Sequence, residues 1–177
     1  KVNSTLSTLL SSMISSMLGT VVDSRSDGYR IVLSSRSRIS EKLFIEIIKD
    51  NYDLYSIITA SLAGTHNVNW KTWCVAKKFG VVGRGAIYEK KSARFLYERY
   101  AKTSLVKEAL RELFHDKYDL KNTDKILKKI RGNEIIINWL EIDKFSKDEI
   151  LYNDHKREWW KQGALYIRDL LIFNNAC

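Results

Sequence analysis

The sequence predicts a mostly α fold of the α+β class: a helical domain with small β-hairpins, a winged helix-turn-helix in residues 40–100 and a helical C-terminal part. Three observations carry that prediction. The 177 residues contain no proline, so no ring interrupts a helical run. Apolar residues recur at helical spacing through most of the chain, broken by two stretches rich in β-branched and aromatic residues. Residues 54–88 contain no Asp or Glu, and in them a helix, a turn, a helix and a glycine-punctuated stretch follow one another. That is the order a winged helix-turn-helix requires.

Each element has its own signal. In residues 4–18, Leu6, Leu9, Leu10, Met13, Ile14, Met17 and Leu18 fall at helical spacing, with Asn3 or Ser4 as N-cap and Gly19 as the stop. The opposite face is nearly all Ser and Thr, without charge. It suits a docking helix with a small polar back, or a contact with a partner. Residues 20–33 alternate as a hairpin turning at Asp27 and Gly28. A basic serine loop with Arg36 and Arg38 leads to Ser40, the N-cap of a helix striped by Leu43, Phe44, Ile47 and Ile48. After the break at Asp50 and Asn51, Leu54, Ile57, Ile58 and Leu62 stripe the next helix, which closes at Gly64. A third helix, capped by Asn67 or Asn69, buries Trp70 or Trp73 with Cys74. It turns Lys71, Lys77 and Lys78 to solvent and ends at Gly80.

Residues 81–91 and 92–100 are rich in Val, Ile, Phe and Tyr and predict paired strands, the wing, although Ala93, Arg94, Leu96 and Glu98 also suit a helix. Val106, Leu110, Leu113 and Phe114 then stripe a helix behind Thr103 or Ser104, and another runs from Asn122 or Thr123 to Gly132. Ile135, Ile136, Trp139 and Leu140 favour a further helix, with a strand as the alternative. Ser146 and Glu149 form a capping box. The last helix aligns Leu151, His155, Trp159, Gly163, Tyr166 and Leu170.

Composition narrows the function classes. Hydrophobic residues at 45% and charged residues at 29% exclude wholesale disorder. The chain reads as a single domain, 1–177: an N-terminal helix and hairpin in 1–39, a basic winged helix-turn-helix module in 40–102, and a helical buttress or dimerisation part in 103–177. Cys74 and Cys177 are the only cysteines, which argues against a disulfide framework. An intracellular setting follows: cytoplasm, nucleus, or a viral protein in its host cell. No apolar run reaches the roughly 18 residues of a membrane span, so no membrane partner is expected. The serine-broken start is a poor signal peptide. An opening lysine in place of methionine suits a domain trimmed from something longer.

The net charge of +9, from 30 Lys and Arg against 21 Asp and Glu, points to a polyanionic partner. Its clustering sharpens the point: residues 66–103 hold nine Lys and Arg against two Glu. The expected function is non-catalytic nucleic-acid binding, with DNA ahead of RNA. Asn67, Asn69 and Lys71 open the would-be recognition helix, where Asn pairs with adenine edges and Lys with guanine or phosphate. Lys77, Lys78, Arg84, Lys90, Lys91 and Arg94 would neutralise phosphates. One alternative is an RNA-binding protein, single-stranded or viral-type, in which Trp70, Trp73 and Tyr88 stack unpaired bases. Another is a helical interaction or assembly module that meets partners through the Ser/Thr-backed first helix and the last helix, the latter forming a homodimer.

No catalytic residue, cofactor or metal is expected. His66, His115 and His155 stand apart without zinc-ligand spacing, and Cys74 has no near histidine. The glycines at 80, 83 and 85 lack the Lys-Ser/Thr of a phosphate loop. Glu89 and Lys91 share a face if they lie on a strand, but metal-assisted cleavage needs a further carboxylate that the neighbouring sequence does not supply.

Overall fold

A computed structural model describes residues 1–138. The capping box at Ser146 and Glu149, the last helix and the homodimer expected of it lie outside the described residues. The elements are α1 (Val2–Leu18), β1 (Val22–Ser26), β2 (Ile31–Ser35), α2 (Glu41–Lys49), α3 (Leu54–Leu62), α4 (His66–Lys78), α5 (Lys90–Tyr100), α6 (Ser104–Lys117) and α7 (Leu120–Arg131). Among the described residues, seven helices and one small antiparallel hairpin make the fold mostly α with a β component, as the periodicity predicts.

Helix α1 is the hub, packing against the hairpin, α2, α3 and α7. Its Leu6, Leu9, Leu10 and Ile14 are fully buried, which is why the apolar stripe runs its whole length. The uncharged Ser/Thr back has an internal use. Along that face Ser4, Ser11 and Ser15 meet β1 in reverse order: the Ser26 hydroxyl donates to Ser4 Oγ (3.5 Å), the Ser24 hydroxyl to Ser11 Oγ (3.2 Å), and the Val22 N–H to Ser15 Oγ (3.0 Å). Small hydroxyls let a helix and a strand approach while keeping polar groups paired. The face is therefore occupied by the hairpin, which corrects its reading as a partner contact.

The hairpin pairs Val22 with Ser35 through to Ser26 with Ile31. Its turn is fixed by Asp27, whose carboxylate accepts the N–H groups of Tyr29 and Arg30 (2.8 and 2.9 Å). Ser40 and Asp53 cap α2 and α3 through side-chain oxygens, and Gly19, Gly64 and Gly80 close α1, α3 and α4 in the left-handed conformation. Three helix starts differ from expectation. Lys1 rather than Asn3 or Ser4 precedes α1, Thr65 rather than Asn67 or Asn69 precedes α4, and Asp119 rather than Asn122 or Thr123 precedes α7. At Asp119 the carboxylate reaches the Asn122 N–H (3.0 Å), a better acceptor for that position than the residues downstream.

The wing is the main correction. Residues 90–100 form a helix, α5, and no second hairpin occurs among the described residues. The would-be first strand cannot extend, because the N–H groups of Val81 and Val82 both turn back to the Ala76 carbonyl (2.9 and 3.2 Å). The would-be second strand gains more as a helix. Ala93 is buried, α5 lies against α4 and α6, and Arg94 pairs with Glu98 one turn on (2.7 Å).

Two apolar clusters result. The larger joins α1, the hairpin, α2, α3 and α7 with Val68 of α4 and Leu113 of α6. The smaller holds Val75, Ala76, Leu105, Val106 and Ala109, with Leu96 and Tyr100 of α5 packed on it. Helices α4 and α6 therefore belong to both, and position the surface between them rigidly.

Candidate nucleic-acid interface

Helix α4 has two edges of different chemistry. Along one it runs antiparallel to α6, whose acids Glu108, Glu112 and Asp116 recur every fourth residue on one face. Lys71 meets Asp116 at 2.7 Å and Glu112 at 3.6 Å, Lys78 meets Glu112 at 2.7 Å, and the Lys117 ammonium donates to Asn67 Oδ1 at 2.9 Å. The Lys71 side chain is only 19% exposed. Its bond to Asp116, with help from both carboxylates' charge, raises its pKa; the same bond, with a second from His115, lowers that of Asp116. Asn67, Lys71 and Lys78 are thus engaged within the fold. Asn69 is 3% exposed, and its side-chain amide donates to the Gly64 carbonyl at 3.2 Å. The start of α4 is not a row of unattached polar side chains.

The other edge faces the 79–89 loop and α5. Tyr88 packs edge-on to Trp70 (ring centroids 4.7 Å apart) and Trp73 (5.8 Å), and its hydroxyl lies 3.4 Å from His66 Nδ1. His66, Trp70 and Trp73 are four and three residues apart, so one face of α4 presents all three to the same tyrosine. The two tryptophans differ in burial. Trp73 is 7% exposed and belongs to the packing, whereas Trp70 is 45% exposed. Beside them opens a shallow groove of about 400 Å³ lined by Trp73, Val82, Lys91, Ser92, Phe95 and Leu96. Phe95 of its lining is exposed, as are Phe79, Val81 and Ile87 in the residues between α4 and α5.

Arg84, Lys90, Lys91 and Arg94 are exposed on this loop and helix, and Lys77 is half-buried on α4. Arg94 pairs with Glu98, while Lys77, Arg84, Lys90 and Lys91 make no ion pair among the described residues. Glu89 stands at the N-terminal boundary of α5 and accepts the Ser92 hydroxyl (2.5 Å), so Glu89 and Lys91 do not lie on a strand. No group of three metal-ligating side chains occurs among the described residues, and no described helix is long and apolar enough to cross a membrane.

Sequence reasoning paired the lysines of α4 with phosphate because the acids that engage them lie some forty residues away. The spacing of Glu108, Glu112 and Asp116 was the available signal: an acidic row on one helix needs a basic row opposite. Phe95 and the groove were missed because they exist only once residues 90–100 are helical.

The edge where α4, the 79–89 loop and α5 meet gathers exposed aromatic and basic side chains. A family model described as DEAD/H associated matches residues 1–147, and the chain belongs to that family. It is a helicase-associated, nucleic-acid-related region. No curated protein and no solved structure matches it.

Proposed function

We propose that the chain binds nucleic acid without catalysis, taking a single strand of DNA or RNA along the edge where α4, the 79–89 loop and α5 meet. The observation that carries the reading is Trp70, half-exposed yet held by Tyr88 at 4.7 Å beside the groove of Trp73, Phe95 and Lys91. A ring held by its neighbour offers stacking area to a base at little entropic cost, and Lys91 and Arg84 supply charge for the flanking phosphates. Membership of a helicase-associated family fits, since strand separation yields unpaired strands. Duplex DNA entered by α4 has less support: Glu108, Glu112 and Asp116 line that helix, and the wing that would follow the groove is a helix.

The test is a titration with labelled single strands and with a duplex of equal length at several salt concentrations. Single strands should bind more tightly. Trp70→Ala should weaken binding by about 1–3 kcal/mol, the worth of one stacked base. Lys91→Gln should lower the slope of log affinity against log salt by about 0.7. A duplex bound as tightly as the single strand, or a Trp70→Ala variant with unchanged affinity, would overturn the reading.

A further inference from the structure

We infer that α7 carries a second phosphate-contacting surface, separate from the α4–α5 edge, whose ligand is a nucleic-acid backbone. Helix α7 buries Thr123, Leu127 and Ile130 against α1, α2 and α3, and exposes Lys121, Lys125, Lys128 and Lys129. At 100° per residue these four lysines share an arc of roughly 100°, and with a rise of 1.5 Å per residue the line is about 12 Å long. Lys128 pairs with Asp124 at 2.7 Å. Lys121, Lys125 and Lys129 make no ion pair among the described residues. In this they are the opposite of Lys71 and Lys78 on α4, which α6 engages.

Helix stability does not account for the row. Cations are favoured near a helix C-terminus, which covers Lys128 and Lys129, but Lys121 sits in the first turn, where the macrodipole opposes a positive charge. No acid occupies that turn beyond the cap Asp119. Nor is the row needed to shield apolar surface, because the buried stripe already faces the other way. Four like charges on one face repel each other, and a polyanion laid along them removes that repulsion while releasing its own counterions. Stacking has no part here: no aromatic residue occurs on α7, so this surface holds backbone and reads no base.

The experiment uses the full chain carrying Lys121→Gln, Lys125→Gln and Lys129→Gln together, and a second variant with Arg at the same three positions. Both keep good helix formers, and circular dichroism checks that both fold. A labelled oligothymidylate is titrated across a salt series. The Gln variant should bind more weakly at low salt, with a slope of log affinity against log salt smaller by about 2, three times the single-strand value per contact. The Arg variant should retain the slope. An unchanged slope in the Gln variant overturns the inference. The two surfaces fail separately: loss of slope with an unaffected Trp70→Ala removes the α4–α5 reading alone, the reverse removes this one alone, and a wild type that binds no oligothymidylate overturns both.

Discussion

Asp53 and Asp119 show how much single residues decide in this fold. Each places a carboxylate over the first turn of a helix, Asp53 bonding the hydroxyl and N–H of Ser56 and Asp119 the N–H and side-chain amide of Asn122. Those hydrogen bonds hold both pKa values below the ordinary 3.8. The sign follows from linkage: a depressed folded pKa adds stability above the unfolded value, and that part is lost as pH falls through the folded value. Asp53→Asn with Asp119→Asn keeps capping oxygens but removes the charge. The double variant should therefore unfold at lower temperature than the wild type near neutrality, and the gap should close as pH falls through 3.8 and the lowered folded values beneath it. A gap that stays constant across a series of thermal melts would place the effect in packing instead. Ser15 is a second case, since its Oγ receives the Val22 N–H at 3.0 Å. Ser15→Ala should cost about 1 kcal/mol in urea denaturation, with the hairpin loosened first in hydrogen exchange.

At the scale of elements, the sequence was legible where one face met one core. The stripes of α2 and α3 and the turn at Asp27 follow directly from spacing and local hydrogen bonding, because neighbours within four residues decide them. Residues 81–100 were not legible in that way: their Val, Ile, Phe and Tyr suit a strand, and their Ala, Arg, Leu and Glu suit a helix. What decided was a long-range fact, the burial of Ala93 in the packing of α5 against α4 and α6. The Ser/Thr face of α1 was visible as unusual, but its partner strand lies beyond the helix, and no local rule joins Ser11 to Ser24. Ala93→Val separates helix from wing. Valine favours a strand and disfavours a helix, and a buried alanine site has no room for two more carbons. Destabilisation of about 1–3 kcal/mol in denaturant unfolding is expected. A stabilised variant would restore the wing.

Across the whole molecule, α4 and α6 link the two apolar clusters, and the same pair sorts the charge. Acids of α6 engage Lys71 and Lys78 on one side, leaving Lys77, Arg84, Lys90 and Lys91 to the aromatic edge. The Lys71–Asp116 contact spans a wide pH range. Asp116, held below 3.8, keeps its charge until pH falls through that lowered value, and Lys71, held above 10.5, keeps its own until pH rises past the raised one. Asp116 therefore carries its charge near neutrality and opposes phosphate on the α6 side. In the proposed binding mode this charge would direct a strand toward Trp70 rather than across α4. Glu112→Gln with Asp116→Asn removes two of those charges and releases Lys71 and Lys78. If the row steers the ligand, the variant should bind single strands about twofold to fivefold more tightly at low salt, the scale of exposed charge pairs. The gain should shrink as added salt screens it. Loss of discrimination should accompany the gain, because a duplex laid across α4 meets the same lysines. Unchanged affinity for both ligands would mean that Lys71 and Lys78 contribute structure only, with binding confined to the Trp70 edge, the loop, α5 and α7.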